Sequence, residues 1–218
     1  MVDTEGLRAS VGEAIAHEQK TGTLARLVMT ALSKRYPSEG EDALLQRTEG
    51  VVGAIRRYVE SMPEVVETAI AAADKAGVRD SIEPVFATAI SYVNEELDFI
   101  PDSMGLAGLV DDAYLVHNLM EEMSQRHRAL TGQDLVPAGS FEESQRVRRL
   151  IGEPTATRLD VAVVAFARRA NVREVVEQVC ERIGGRGIAM DLPVTVAFGG
   201  DRDELDDLPD LELGALGG

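Results

Sequence analysis

The chain has 218 residues, 44% of them hydrophobic, and carries 38 acidic against 22 basic side chains for a formal net charge of −16. That length supports a real core, and the negative surface repels phosphate backbones and anionic lipid, which disfavours general nucleic-acid binding. There is no apolar run of the roughly 20 residues that span a bilayer, no basic and apolar leader in Met1-Val2-Asp3-Thr4-Glu5, and only one cysteine, Cys180, so a cytoplasmic protein without an internal disulfide is expected.

The first third reads as helices. Leu7, Val11 and Ile15, then Leu24, Leu27, Val28, Ala31 and Leu32, recur at helical spacing. Gly22-Thr23 separates the two runs, and Pro37-Ser38 closes the second. A third run through Leu44, Val51, Val52, Ile55, Tyr58 and Val59 meets Pro63, where a helix end or kink is expected. Val65, Val66, Ala69 and Ile70 continue the pattern to a stop at Gly77.

Asp80 and Glu83 have capping-box spacing, and Pro84 follows them in what reads as a first turn. Val85, Phe86, Ala89, Ile90, Val93 and Leu97 then form one apolar stripe. Pro101 disfavours helical geometry at Ile100, so this helix should end near Asp98 or Phe99. A link through Gly105 leads into a long helix that reaches about Leu130 and stops at Gly132.

Beyond it, Gly139-Ser140 precedes a helix through Arg146 to Ile151, which Gly152-Glu153-Pro154 breaks. The run from Asp160 to Ala170 fits a buried helix or a strand, and its length does not choose between them. Val172 to Ile183 is helical and ends at Gly184-Gly185; 193–198 is the one strand-like segment. From Gly199 the chain is acidic and Gly-rich, the composition of a mobile tail. The expected fold is mainly α: a multi-helix bundle around a helix–turn–helix hairpin, with a short strand region near the C-terminus and a flexible acidic tail. The expected divisions are an N-terminal helical segment (1–78), the hairpin (79–132), a C-terminal helical region (133–198) and the tail (199–218).

The hairpin concentrates the unusual chemistry. Glu95, Glu96 and Asp98 crowd a helix C-terminus, where each exposed anion costs about 0.3–1 kcal/mol, and Asp102 adds like charge across the turn. Asp111 and Asp112 lie on a helix that is apolar nearly all round, with Leu115 and Leu119 beside Asp111, and buried carboxylates need partners. Two compensations are open. In one, Asp102 caps a helix, Asp98 accepts backbone N–H groups and Asp112 pairs with an arginine. In the other, Asp98, Asp102, Asp111 and Asp112 hold Mg²⁺ or Ca²⁺, with His117 near enough to contribute.

Leu97-Asp98-Phe99-Ile100-Pro101-Asp102 and Gly105-Leu106-Ala107-Gly108-Leu109-Val110-Asp111-Asp112-Ala113 together resemble the motif of the YkvA-like domain-of-unknown-function family. That motif is an apolar helix, Asp-Leu-Ile-Pro-Asp, a short Gly-containing link, and Asp-Asp opening an aliphatic run. The resemblance covers about Ile82 to Met120, departs from the family at Phe99 and at Asn94-Glu95-Glu96, and implies a small helical domain without implying a reaction.

Weaker signals surround it. Cys180 sits at core spacing with Val176 and Ile183, whereas His17 and His127 are expected in solvent among charged neighbours. Gly184-Gly185-Arg186-Gly187 ends a helix and lacks the lysine of a phosphate loop. In the tail, Leu205, Leu208, Leu211, Leu213 and Leu216 punctuate acidic residues, and Leu211, Leu213 and Leu216 are the candidate partner contacts. The ending resembles the C-terminal loading peptides of encapsulin cargo proteins. The leading expectation is a non-enzymatic helical interaction or adaptor protein that engages a protein partner. The alternatives are a divalent-metal-dependent hydrolase using the four aspartates, and a peripheral membrane protein bearing Phe99, Ile100, Met104, Leu106 and Leu109.

Overall fold

A computed structural model describes residues 2–95, 99–100, 102–135, 142–185 and 188, and among them it is an all-α multi-helix bundle without a β-sheet. The strand-like segment at 193–198 and the tail from 199 lie outside the described residues.

Two helices open the chain, α1 (Thr4–Thr21) and α2 (Thr23–Arg35). The Asp3 carboxylate caps α1 by accepting from the Gly6 N–H. The first turn of α2 is satisfied from the preceding helix: the Glu18 carboxylate, 8% exposed, accepts the Leu24 N–H at 2.9 Å and the Ala25 N–H at 3.1 Å.

The third helix, α3, runs unbroken over Glu41–Lys75, with Pro63 inside it. The sequence predicts an end or kink there, and the helix instead continues, because Val59, Met62, Val65 and Val66 are buried on both sides of the proline. Burying such side chains is worth about 1.5–3 kcal/mol each, enough to outweigh a lost hydrogen bond and the ring's steric cost. The turn before Pro63 also draws side-chain donors: the Ser61 hydroxyl donates to the Tyr58 carbonyl at 2.8 Å. At its C-terminus the Val78 N–H bonds back to the Ala73 carbonyl at 2.8 Å, a six-residue closure of the helix end.

Next comes α4 (Arg79–Glu95), which begins before Asp80, so Asp80 lies in its first turn and not at its N-cap. Asp80 pairs with Arg182 at 2.9 Å, while Glu83 accepts from Arg79 and from the Val2 N–H at 3.1 Å. Pro84 falls in the second turn of α4, not the first. A 3-10 segment, Asp102–Ala107, precedes α5 (Val110–Thr131), which ends on left-handed Gly132. The remaining helices are α6 (Glu142–Ile151), α7 (Thr155–Arg169) and α8 (Val172–Arg182). The undecided run at Asp160 is therefore helical, and it is bounded by arginines and a turn at Ala170-Asn171.

Helix α5 is the centre of the bundle and packs against α3, α4, α6, α7 and α8. This accounts for its nearly all-round apolar surface. One continuous apolar cluster extends from Val2 to Ile183 and draws on every helix. Ile100, Leu106 and Leu109 belong to it, so three of the residues expected at a lipid surface are instead core. No helix among the described residues is long and apolar enough to cross a membrane.

Candidate functional site

Of the four aspartates, Asp98 lies outside the described residues, as does the side chain of Asp102. Asp111 is only 2% exposed, and its role is clear from its contacts. Its Oδ2 accepts the backbone N–H groups of Phe99 and Ile100, each at 3.1 Å, and its Oδ1 lies 3.2 Å from the Asp112 nitrogen. One of the two expected compensations has Asp98 accept backbone N–H groups in this turn, and that residue lies outside the described ones; among the described residues the acceptor is Asp111, from the first turn of the following helix. A charged acceptor fixed on two converging N–H groups is among the stronger hydrogen-bonding arrangements in proteins. Asp112 is half-buried beside it. Among the described residues, no group of three or more His, Cys, Asp or Glu side chains is placed to hold a metal ion.

His117 turns away from these aspartates towards α3. Its ring stacks on Tyr58 with centroids 4.3 Å apart, and Nε2–H points at the Ser61 hydroxyl at 3.1 Å and the Tyr58 carbonyl at 3.3 Å. Because Ser61 spends its own proton on the Tyr58 carbonyl, it can only accept from the histidine. Burial pushes the His117 pKa down to about 4.

His127, expected in solvent, is 2% exposed. Its ring bridges two backbone groups: Nδ1–H donates to the Gln133 carbonyl at 3.0 Å, and Nε2 accepts from the Ile188 N–H at 3.1 Å. Burial lowers its pKa as well. Spacing along α5 could not foretell this, since the burying partners come from after the helix. Cys180 is a core thiol, as expected, with its pKa raised by burial.

The feature that sequence reasoning missed is a polar cleft of about 290 Å³ where α5, α6 and α7 meet. Tyr114, Asn118, Glu121 and Gln125 line it from α5, Arg148 from α6 and Asp160 from α7. The α5 residues recur at steps of four, three and four, so they share one face, and that polar stripe was the available signal. At its base, the Tyr114 hydroxyl donates to Asp160 Oδ1 at 2.7 Å, while Arg148 Nε donates to Asp160 Oδ2 at 2.9 Å. Arg148 also reaches Glu153 Oε1 at 2.8 Å. Burial, then the adjacent Asp160 carboxylate, raises the Tyr114 pKa, so the phenol stays protonated and works as a donor. Burial likewise raises that of Glu121, whose Oε1 accepts from Gln125 at 3.0 Å. The triad ties three helices together; both oxygens of its carboxylate are engaged, which leaves it poorly suited as a base.

Two valines of α7, Val163 and Val164, also line the cleft. Val164 is 50% exposed, and Val161, one helical step earlier, is 64% exposed. Arg158 and Arg168 flank these valines on α7, both exposed and neither in an ion pair among the described residues. Compared with protein-family models, with curated proteins and with solved structures, the chain matches none. The resemblance of the hairpin to the YkvA-like family accordingly rests on its motif alone.

Proposed function

We propose that the protein is a non-enzymatic helical interaction or adaptor protein, and that the exposed face of α7 beside the polar cleft receives its protein partner. The observation that carries this reading is the pair Val161 and Val164, 64% and 50% exposed on a bundle whose other valines with a described exposure are at least partly buried. Two β-branched side chains held open one step apart, between arginines, make an apolar centre with a charged rim, the usual anatomy of a protein contact. The chemistry favours a partner segment that brings aliphatic side chains between carboxylates. Leu211, Leu213 and Leu216 stay in the reading as a second contact, and lie outside the described residues. The hairpin is read as YkvA-like, a structural unit whose Asp111 is engaged by backbone.

A photo-reactive residue at position 161, introduced into the full chain in its native host, tests the proposal. The expected result is a discrete protein adduct that is absent when the same residue stands at Lys20, an exposed position on α1. Identical adducts from both positions would remove the reading. The metal-hydrolase alternative gains no specific observation.

A further inference from the structure

Arg158, Val161, Val164 and Arg168 form one exposed stripe along α7, at steps of three, three and four residues. On a helix this spans about 15 Å at 1.5 Å per residue. The helix carries three arginines against one aspartate, in a chain whose formal net charge is −16. A complementary segment exists in the same chain: 201–210 holds six carboxylates against one arginine, with Leu205 and Leu208 three residues apart. That is the same separation as Val161 and Val164, with carboxylates on both sides of the leucine pair, as Arg158 and Arg168 lie on both sides of the valines.

The connecting chain is long compared with the stripe. The Ile188 N–H is held by His127 on α5, which fixes the last described position of the chain. Thirteen residues then lead to Asp201, enough for about 43 Å of extended chain against about 22 Å for the whole of α7. Linkage within one molecule also raises the local concentration of the segment to the millimolar range, so weak contacts suffice.

We propose that 201–210 docks in cis on the α7 stripe, with Leu205 and Leu208 on Val161 and Val164 and flanking carboxylates on Arg158 and Arg168. This rests on the reading of α7 as a partner surface and deepens it: the protein covers that surface with its own acidic segment, and a partner must displace it.

The test uses the purified full chain with the photo-reactive residue at position 161, an equal mixture of ¹⁵N-labelled and unlabelled protein, and peptide mapping by mass spectrometry. The expected result is a cross-link to 201–210 within single-isotope chains, about tenfold stronger than from position 20. Arg158→Glu with Arg168→Glu should lower its yield at least about fivefold, and so should raising the salt to about 0.5 M, where the screening length falls to a few ångströms. A yield equal to that from position 20, or indifference to both the charge reversal and salt, would overturn the proposal. Cross-links only between differently labelled chains would overturn docking in cis. A foreign adduct from position 161 in cells, with no cross-link to 201–210, would leave the partner surface standing and remove this inference alone.

Discussion

Asp111 closes the turn that ends at Ile100: its Oδ2 accepts the Ile100 N–H at 3.1 Å across eleven residues of chain. Ile100 is fully buried, so this N–H has no water to fall back on. The carboxylate thus neutralises a backbone problem created by the turn, and the turn in turn satisfies a buried charge.

Replacing Asp111 with alanine should therefore be costly. Two backbone donors lose their acceptor, and the expected destabilisation is about 2–4 kcal/mol. Asp111→Asn keeps one acceptor oxygen and should cost clearly less. Urea denaturation of both variants measures the difference; equal and small losses would show that the bonds from Phe99 and Ile100 contribute little.

The Tyr114–Asp160–Arg148 triad should behave as a unit. Tyr114→Phe removes a hydrogen bond to a charged acceptor in a largely buried place, at an expected cost of about 1–2 kcal/mol. Arg148→Ala should cost about 1 kcal/mol or less, because the Asp160 side chain is 41% exposed and water screens the pair. A double-mutant cycle should give a coupling of at least about 0.5 kcal/mol, since both variants act on one carboxylate. Strict additivity would contradict the shared role of Asp160.

His117 predicts a pH dependence with a definite sign. Its folded pKa of about 4 lies below the ordinary value of 6.5, so the unfolded chain binds its proton more readily. The associated stability is fully present above about pH 6.5 and is lost as the pH falls to about 4, in total by about 2–3 kcal/mol. His127 shifts in the same direction and adds to the trend. The contrast to measure is urea stability between pH 4 and 7 for the wild type against His117→Gln. The variant should have the shallower slope, and parallel curves would place the proton uptake elsewhere.

Gly105 should resist substitution for two separable reasons. Its φ of 63° with ψ of −123° is backbone that side chains rarely adopt, and an added Cβ would lie 2.6 Å from His17 Cδ2. Gly105→Ala is expected to lose about 2–3 kcal/mol. His17 is exposed and can move, so Gly105→Ala compared in a His17→Ala background should recover only the steric part. Thermal denaturation of the four proteins checks this, and full recovery would mean that the backbone conformation costs nothing.

By itself the sequence determined the local architecture. Apolar residues three and four apart placed the helices, Gly22, Gly77 and Gly132 marked ends or junctions, and the Asp111 carboxylate in an apolar helix announced a compensating partner. These are readable because helical spacing and chain termination act over a few residues. Tertiary structure decided everything that depended on which segments meet. It carried α3 through Pro63, made Asp160 helical and linked it to Tyr114, and buried His127 against Gln133 and Ile188. It also brought Asp111 to the Phe99 and Ile100 backbone, and among the described residues it left Val161 and Val164 exposed. These features depend on how the helices pack on one another, a competition between burial and hydrogen bonding that no local pattern encodes.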